Sequence, residues 1–235
     1  MSIFHSSQKI GEIVTKFPKS ADVLKEYKID FCCGGDRKLE TAIREQGLPE
    51  SEILDKINRL YEEFKNLETD ERNWVEAPLG DLVDHIVNTH HAYLGVELPR
   101  ISELVTKILR VHGEHHPELS KVHKLFHSLK MELEQHVIKE ETIQYPAIKE
   151  YEKSKTEAAL EKAVKITKEL EDEHTGAGDI LKELRKVTDD YKAPEDGCNT
   201  YRLTYIKLQE LESDTFQHIH LENNILFPRL MELSK

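Results

Sequence analysis

The sequence predicts an all-α protein, in which a small helical domain precedes an antiparallel four-helix bundle. The chain has 235 residues with only 10 Gly and 8 Pro, and helix-favouring Leu, Glu and Lys are abundant. Four stripes of apolar residues at helical spacing follow residue 79, and four amphipathic helices pack naturally as a bundle. Three Cys cannot form a disulfide framework, so burial of the apolar stripes must hold the fold.

The composition excludes several classes of function. The formal net charge is -12, which repels nucleic acids and anionic membranes. No stretch approaches the roughly 20 consecutive apolar residues of a membrane helix, and the first ten residues lack a basic region followed by an apolar run. We therefore expect a cytoplasmic protein with no nucleic-acid and no membrane partner, and the few cysteines fit a reducing compartment.

Residues 1–66 are predicted to form the small helical domain. Ser7 and Ser20 are candidate helix caps, and Pro18 ends the first helix. A longer amphipathic helix is predicted from Pro49 to about Phe64. The polar residues 67–78 are predicted to be a linker, and residues 79–235 the bundle.

The small domain contains two adjacent cysteines, in the segment Phe31-Cys32-Cys33-Gly34-Gly35. Adjacent Cys rarely bond to each other, so both are predicted to be free thiols. A helix predicted to start near Asp36 would lower the pKa of these thiols through its amino end. Cys32 and Cys33 are therefore candidate reactive residues. The alternative is that they are two buried small residues in a turn. For Cys198 we favour this alternative, a small buried residue without a reactive role.

Each stripe of the bundle carries polar residues where the pattern requires apolar ones. In the second stripe, Ile143 and Ala147 are predicted to continue the buried face beyond the polar positions. The polar positions on the four predicted helices are, in order, His91; His136 and Glu140; His174; and His218 and Glu222.

The bundle also contains an internal repeat. The segments 135–146 and 217–228 share Gln, His, Glu, Ile and Pro at matching positions, and nearly the same offset relates His91 to His174. Each half therefore supplies one single His and one His-x-x-x-Glu pair, whose two residues lie on the same face of a helix.

Four imidazoles and two carboxylates converging in a bundle core predict a dinuclear metal site. Buried carboxylates are strongly unfavourable unless a cation compensates them. Each metal would take two His, Glu140 and Glu222 would bridge, and a solvent-derived oxygen would lie between the metals. Ligands without thiolate indicate iron, manganese or zinc, and the paired bundle site favours iron. We predict two Fe ions per chain, a non-haem and oxygen-bridged di-iron centre that leaves positions open to nitric oxide or oxygen.

The remaining histidines beyond residue 79 are predicted to be solvated. On a straight helix His112 would lie about 30 Å from His91, so it joins the site only if Pro99 breaks the helix, and this question stays open. The histidines predicted to be solvated are His85, His90, His115, His116, His123, His127 and His220.

These motifs together resemble one known family. The whole chain resembles the iron-sulfur cluster repair di-iron proteins, which join a Cys-Cys-Gly-Gly domain to a hemerythrin-like bundle. The resemblance implies a di-iron site in a cytoplasmic protein made under nitrosative or oxidative stress, which restores damaged iron-sulfur clusters. The matching segments are 31–35, His136-x-x-x-Glu140, His218-x-x-x-Glu222 and Glu173-His174, with His91 at the position of the family's first-helix ligand.

Two functions remain open at this point. A repair protein would donate iron to damaged iron-sulfur proteins or process nitric oxide, while its thiols engage the client. A hemerythrin-like protein that binds or senses oxygen or nitric oxide would not need the thiols. A ferritin-like oxidase fits less well, because only Glu171-x-x-His174 has its ligand spacing, and a metal-free interaction protein would need only the acidic helices.

The sequence leaves open whether the metal site catalyses a reaction of nitric oxide. It also leaves open whether the chain forms a homodimer. Since every inferred ligand lies beyond Leu79, the site is predicted to assemble without the first domain.

Overall fold

A computed structural model describes residues 3–64 and 73–234. Residues 67–72 of the predicted linker and the side chain of Glu171 lie outside this description. The all-α fold is confirmed, and the described ranges contain no strand, only an isolated bridge between Lys9 and Lys38. Within the same ranges, none of the helices combines the length and the apolar character needed to cross a membrane.

The chain divides into two compact units. The first comprises Met1–Pro78 together with Ile219–Lys235, and the second comprises Leu79–His218. The predicted boundary placed residues 219–235 in the bundle, whereas their contacts group them with the amino-terminal helices. The domain boundaries themselves stay a prediction.

The first unit is built from four helices near the amino terminus and a helical segment near the carboxy terminus. Apolar residues that the sequence placed on helix faces, such as Ile13, Leu24 and Ile53, are fully buried. The third helix begins at Leu39 rather than near Asp36. The bounds are α1 Ile10–Lys16, α2 Ser20–Glu26, α3 Leu39–Gln46 and α4 Glu50–Phe64, followed late in the chain by the π-helical turn π3 Glu222–Leu226 and by α11 Phe227–Glu232.

Asn224 fixes the π3 turn within the first unit. Its amide nitrogen donates to the carbonyl oxygens of Phe31 and Cys32, both at 3.2 Å. Gly11 and Gly35, whose backbones are joined by a 2.8 Å hydrogen bond, leave the space that the amide occupies. A Cβ atom would lie 2.3 Å from Asn224 Oδ1 at Gly11 and 2.2 Å at Gly35. Gly35, the second glycine of the Cys-Cys-Gly-Gly segment, is therefore required for this contact.

Gly35→Ala is expected to destabilise the protein by about 1–3 kcal/mol, because the added methyl group displaces the Asn224 amide. Urea unfolding measures the change. In the Asn224→Ala background the same substitution should cost much less, since the clashing atoms are gone. Gly95, whose added Cβ would meet no atom within 4 Å, provides the control, and equal effects of Gly35→Ala in both backgrounds would contradict the proposed clash.

The second unit is an antiparallel helical bundle. Its elements are α5 Leu79–Ile86, π1 Val87–His91, α6 Ala92–His112, α7 Glu118–Lys139, π2 Glu140–Gln144, α8 Tyr145–Ser154, α9 Glu157–Val187 and α10 Asn199–Leu221, whose last residues belong to the first unit. Helices α6 and α7 pack against each other, as do α5 and α8, so the segment from α5 to α6 and the segment from α7 to α8 run in opposite directions. The residues of α6, α7, α9 and α10 contribute to one apolar core.

The predicted apolar stripes are buried with one clear exception. Ile143 was predicted to face the core, but it is 52% exposed, while Gln144 is fully buried. The reason is the π2 turn, whose wider hydrogen-bond spacing inserts an extra residue relative to an α-helix and rotates the chain that follows. The prediction for Ile143 is wrong because it assumed α-helical spacing throughout.

Pro99 does not break the first long helix. Helix α6 continues through Pro99 from Ala92 to His112, so His112 lies at the opposite end of the helix from His91. At 1.5 Å per residue the separation is about 30 Å. The structure therefore places His112 away from the predicted metal ligands.

Candidate metal centre

Glu140 lies at the centre of four histidines in the second unit. Its Oε1 atom is 2.9 Å from Nε2 of His136 and 4.0 Å from Nε2 of His174. Its Oε2 atom is 3.1 Å from Nε2 of His91 and 3.8 Å from Nε2 of His218. Each carboxylate oxygen therefore faces its own pair of imidazoles. In each pair, one imidazole comes from the first half of the internal repeat and the other from the second half.

The chemistry of this cluster fits a cation. Glu140 is fully buried, and among the described residues no donor makes a hydrogen bond to either of its oxygens. A buried carboxylate without such donors is unfavourable unless a positive charge lies beside it. The Nε2 atoms of His136 and His174 are only 2.9 Å apart, which is compatible with two ligands of one ion. These side chains could hold a metal.

The local helix geometry brings these residues together. The π1 turn ends at His91, and the π2 turn begins at Glu140. Such π-helical turns inside α-helices frequently occur at functional sites. Glu222 belongs to the first compact unit, where it is fully buried and begins the π3 turn. The two predicted bridging carboxylates therefore occupy equivalent positions in their helices.

Two further carboxylates contact the Nδ1 atoms of two of these imidazoles, on the side of the ring away from Glu140. Nδ1 of His91 is 2.8 Å from Oε1 of Glu141, and Nδ1 of His136 is 2.8 Å from Oε2 of Glu173. Burial raises the pKa of Glu173, but hydrogen bonds from Lys139 and His136 outweigh burial and leave this pKa below its usual value. Carboxylates in this position orient metal-binding histidines. Neither role was predicted from the sequence, although Glu141 directly follows Glu140 and Glu173 directly precedes His174.

Two histidines that were predicted to be solvated are buried. His90 is 5% exposed, and its Nδ1 lies 2.9 Å from Oδ1 of Asp214. The π1 turn explains this, because its extra residue directs both His90 and His91 inward. In the first unit His220 is 1% exposed, its ring packs edge-on against Phe31, and burial lowers its pKa to about 4.

The two adjacent cysteines of the first unit are not joined by a disulfide, as predicted, but their surroundings differ from the prediction. The sulfur atoms of Cys32 and Cys33 are 3.7 Å apart. Oδ1 of Asp30 accepts the backbone N–H groups of Cys32, Cys33 and Gly34 at 3.0–3.2 Å. These donors therefore stabilise a carboxylate rather than a thiolate.

The predicted decrease in thiol pKa is wrong for Cys32. The hydrogen bond with Cys33, burial and the neighbouring Asp30 carboxylate raise the pKa of Cys32 well above its usual value. Helix α3 begins at Leu39, not near Asp36 as predicted. Cys32 is 1% exposed, whereas Cys33 is partly exposed.

Cys198 also differs from its prediction. It was expected to be a buried small residue, but it is exposed. Its sulfur lies 3.2 Å from Nε2 of His112. Because Cys198 immediately precedes α10, the sulfur meets the amino end of that helix rather than the apolar core.

Comparison with known proteins agrees with this geometry. A family model described as the hemerythrin HHE cation binding domain matches residues 82–230, and ScdA_N, described as a domain of unknown function, matches residues 6–61. The iron-sulfur cluster repair protein ScdA of Staphylococcus haemolyticus is 32% identical over 219 residues, which cover 93% of this chain and 95% of the relative. The iron-sulfur cluster repair protein YtfE of Enterobacter sp. is 32% identical over 224 residues, which cover 95% and 96%.

A third relative extends the comparison to another genus. The probable iron-sulfur cluster repair protein of Haemophilus influenzae is 30% identical over 226 residues, which cover 96% of this chain and 97% of the relative. All three relatives match across both parts of the chain, and the resemblance deduced from the motifs is confirmed. The chain belongs to the family of iron-sulfur cluster repair proteins that includes ScdA and YtfE.

Proposed function

We propose that this protein repairs iron-sulfur clusters damaged by nitrosative or oxidative stress, and that it uses a di-iron centre to do so. One observation carries the proposal: a fully buried Glu140 carboxylate whose two oxygens face two separate pairs of imidazoles. The names of the relatives supply the class of function. Damaged iron-sulfur proteins in the cytoplasm are the proposed clients, with nitric oxide or oxygen as small ligands.

The proposed ligands follow from this arrangement. His91 and His218 would hold one iron, His136 and His174 the other, and Glu140 would bridge them. Glu222 is the proposed second bridge on the strength of the internal repeat. When bound, the iron pair supplies ions for transfer and coordination positions for small molecules.

The side chains around Glu140 are suited to holding iron that must later leave. The proposed ligands are imidazoles and carboxylates, with no thiolate among them, whereas iron-sulfur proteins bind iron through Cys thiolates. Thiolates of a client can therefore compete for the metal. Glu141 and Glu173 keep the imidazoles of His91 and His136 in one orientation, so the site remains organised between loading and release.

Glu173→Gln and Glu141→Gln are expected to weaken iron binding by about 10–100-fold, because each removes the charge that orients an imidazole. Iron affinity is measured by chelator competition on full-length protein. Glu183→Gln is the matched control, since Glu183 lies on the same helix as Glu173 and pairs with Lys121 at the surface. Equal affinities in all four proteins would contradict the orienting role.

We infer that Cys33 presents the accessible thiol to the client. Cys32 is buried, and the neighbouring backbone donors are used by Asp30. Cys33 is partly exposed beside it. A hemerythrin-like protein that only binds oxygen or nitric oxide would have no need for this thiol.

Iron transfer from the loaded protein to an apo-ferredoxin tests the function. With inorganic sulfide and a thiol reductant added, we expect cluster formation by the wild type, and about tenfold slower transfer by Cys33→Ser with unchanged iron content, because the client contact is lost. Cys32→Ser should have a smaller effect. If the wild type binds nitric oxide but never restores a cluster, the protein is a binder or sensor and the repair function is wrong.

A further inference from the structure

A second group of metal-ligating side chains lies at the far end of the bundle from Glu140. There the turn after α6 meets the loop that precedes α10. Nε2 of His112 is 3.2 Å from the sulfur of Cys198, and Nε2 of His116 is 3.2 Å from Oδ2 of Asp196. The backbone N–H of His116 donates to the carbonyl oxygen of His112 at 2.9 Å. The two imidazoles are therefore one helical turn apart.

The surroundings hold these side chains next to one another. The ring centroids of His112 and His116 are 6.2 Å apart, and the ring of Tyr201 packs edge-on against both, at 5.4 and 5.5 Å. Nδ1 of His116 is also 3.0 Å from Oε1 of Glu118. Two imidazoles, a thiol and two carboxylates thus share one small region of the surface.

Cys198 is the thiol best suited to bind a metal. Backbone N–H groups of Tyr201 and Thr200, together with the imidazole of His112, lower the pKa of Cys198 to about 7. The thiolate is the form that ligates metals. Cys32 has the opposite environment, because it is buried beside a carboxylate.

We propose that His112, His116, Asp196 and Cys198 form a second metal site, which binds a thiophilic divalent cation such as Zn²⁺. Zinc takes four ligands of these types at about 2.0–2.3 Å, which in a tetrahedron places neighbouring donor atoms about 3.3–3.8 Å apart. Both measured donor pairs, at 3.2 Å, are slightly closer than this separation. The presence of a thiolate distinguishes the site from the cluster around Glu140, which offers only nitrogen and oxygen donors.

The cation would draw the two pairs together. Among the described residues, no third His, Cys, Asp or Glu donor lies within 4.8 Å of both His112 Nε2 and Cys198 Sγ. The Asp196 side chain is 70% exposed, so it can rotate without disturbing the core. Coordination would then replace the imidazole–carboxylate contact with two bonds to one ion.

Cobalt provides a direct test, because a Co²⁺ ion bound to a thiolate has a charge-transfer absorption that nitrogen and oxygen ligands do not give. Co²⁺ is titrated into iron-loaded, full-length protein, and Zn²⁺ is then added as competitor. We expect the charge-transfer band in the wild type and its loss on addition of Zn²⁺. Cys198→Ser should abolish the band, and His112→Asn and His116→Asn should weaken Co²⁺ binding at least tenfold.

The chain offers matched controls. The Cys32→Ser, Cys33→Ser double variant should keep the band, as should His115→Asn, which alters an exposed histidine of the same turn. Absence of the band in the wild type would overturn the proposal. So would a band that survives Cys198→Ser or disappears in the double variant. Iron content is recorded throughout, so this result does not depend on the proposed function of the di-iron centre.

Discussion

Protein carrying Glu140→Leu should be purified without iron. Both oxygens of Glu140 face imidazole pairs, so one substitution removes the carboxylate shared by both proposed metal positions. The leucine also places an apolar side chain where the cations would lie. We expect iron to fall from about two ions per chain to a trace, measured by metal analysis of freshly purified protein.

Glu134→Leu serves as the control for this experiment. Glu134 lies on the same helix but is exposed, and it pairs with Lys130 at the surface. Its substitution should leave the iron content unchanged. If Glu140→Leu keeps two irons with an unaltered spectrum, Glu140 is not a ligand. Without metal, the variant should unfold at a temperature equal to or above that of metal-free wild type, since a buried charge has been replaced by an apolar group.

Removal of residues 1–73 is expected to have the second large effect. The sequence predicted that the metal site assembles without the first domain, but residues 219–235 belong to the same compact unit as residues 1–78. Truncation removes the carbonyl oxygens of Phe31 and Cys32 that accept from Asn224, and it removes the Phe31 ring that packs against His220. The segment that carries Glu222 thereby loses its packing, and iron content should fall.

Limited proteolysis together with iron analysis measures this effect. The truncated protein should be cut after residue 218 much faster than the full chain, while cleavage within residues 79–218 remains slow. The control is the full chain with Cys32→Ser and Cys33→Ser, which keeps the packing and should keep its iron. A truncated protein with full iron content and unchanged protease resistance would show that the first domain is dispensable for the site.

The bundle could be predicted because its signal is local and repeated. Apolar spacing identified the long helices, and residues predicted at that spacing, such as Leu181 on α9 and Leu208 on α10, are buried. The candidate ligands stood out as polar residues within those stripes. The matching segments 135–146 and 217–228 then turned six separate observations into one pattern.

The local register at the metal centre could not be predicted in this way. An ideal α-helix was assumed through Glu140, and the π2 turn invalidated that assumption for Ile143 and the π1 turn for His90. Directly after the π2 turn, the ring of Tyr145 is stacked on the ring of His91, with 5.6 Å between the ring centroids. Where a helix widens depends on tertiary packing around the site, which residue spacing does not encode.

Contacts between distant segments were equally hidden from the sequence. Nothing in the spacing of Gly11, Gly35 and Asn224 indicates that one side chain fills the space beside two glycines. Likewise, the environment of Cys198 depends on His112, which approaches from another helix. These features arise only when separate parts of the chain come into contact, so no local sequence pattern predicts them.

The first unit is built from two separate segments of the chain, and this affects the order of folding. Its two segments are separated in the sequence by the whole of the second unit, so an emerging chain has its four early helices long before their late partner. The bundle unit, which is continuous in sequence, can fold first, since contacts between nearby segments form faster. Glu222 then arrives with the closing segment. Because Glu222 is a proposed bridge, metal insertion would then wait for completed synthesis, and an interrupted chain would carry thiols and imidazoles but lack that carboxylate.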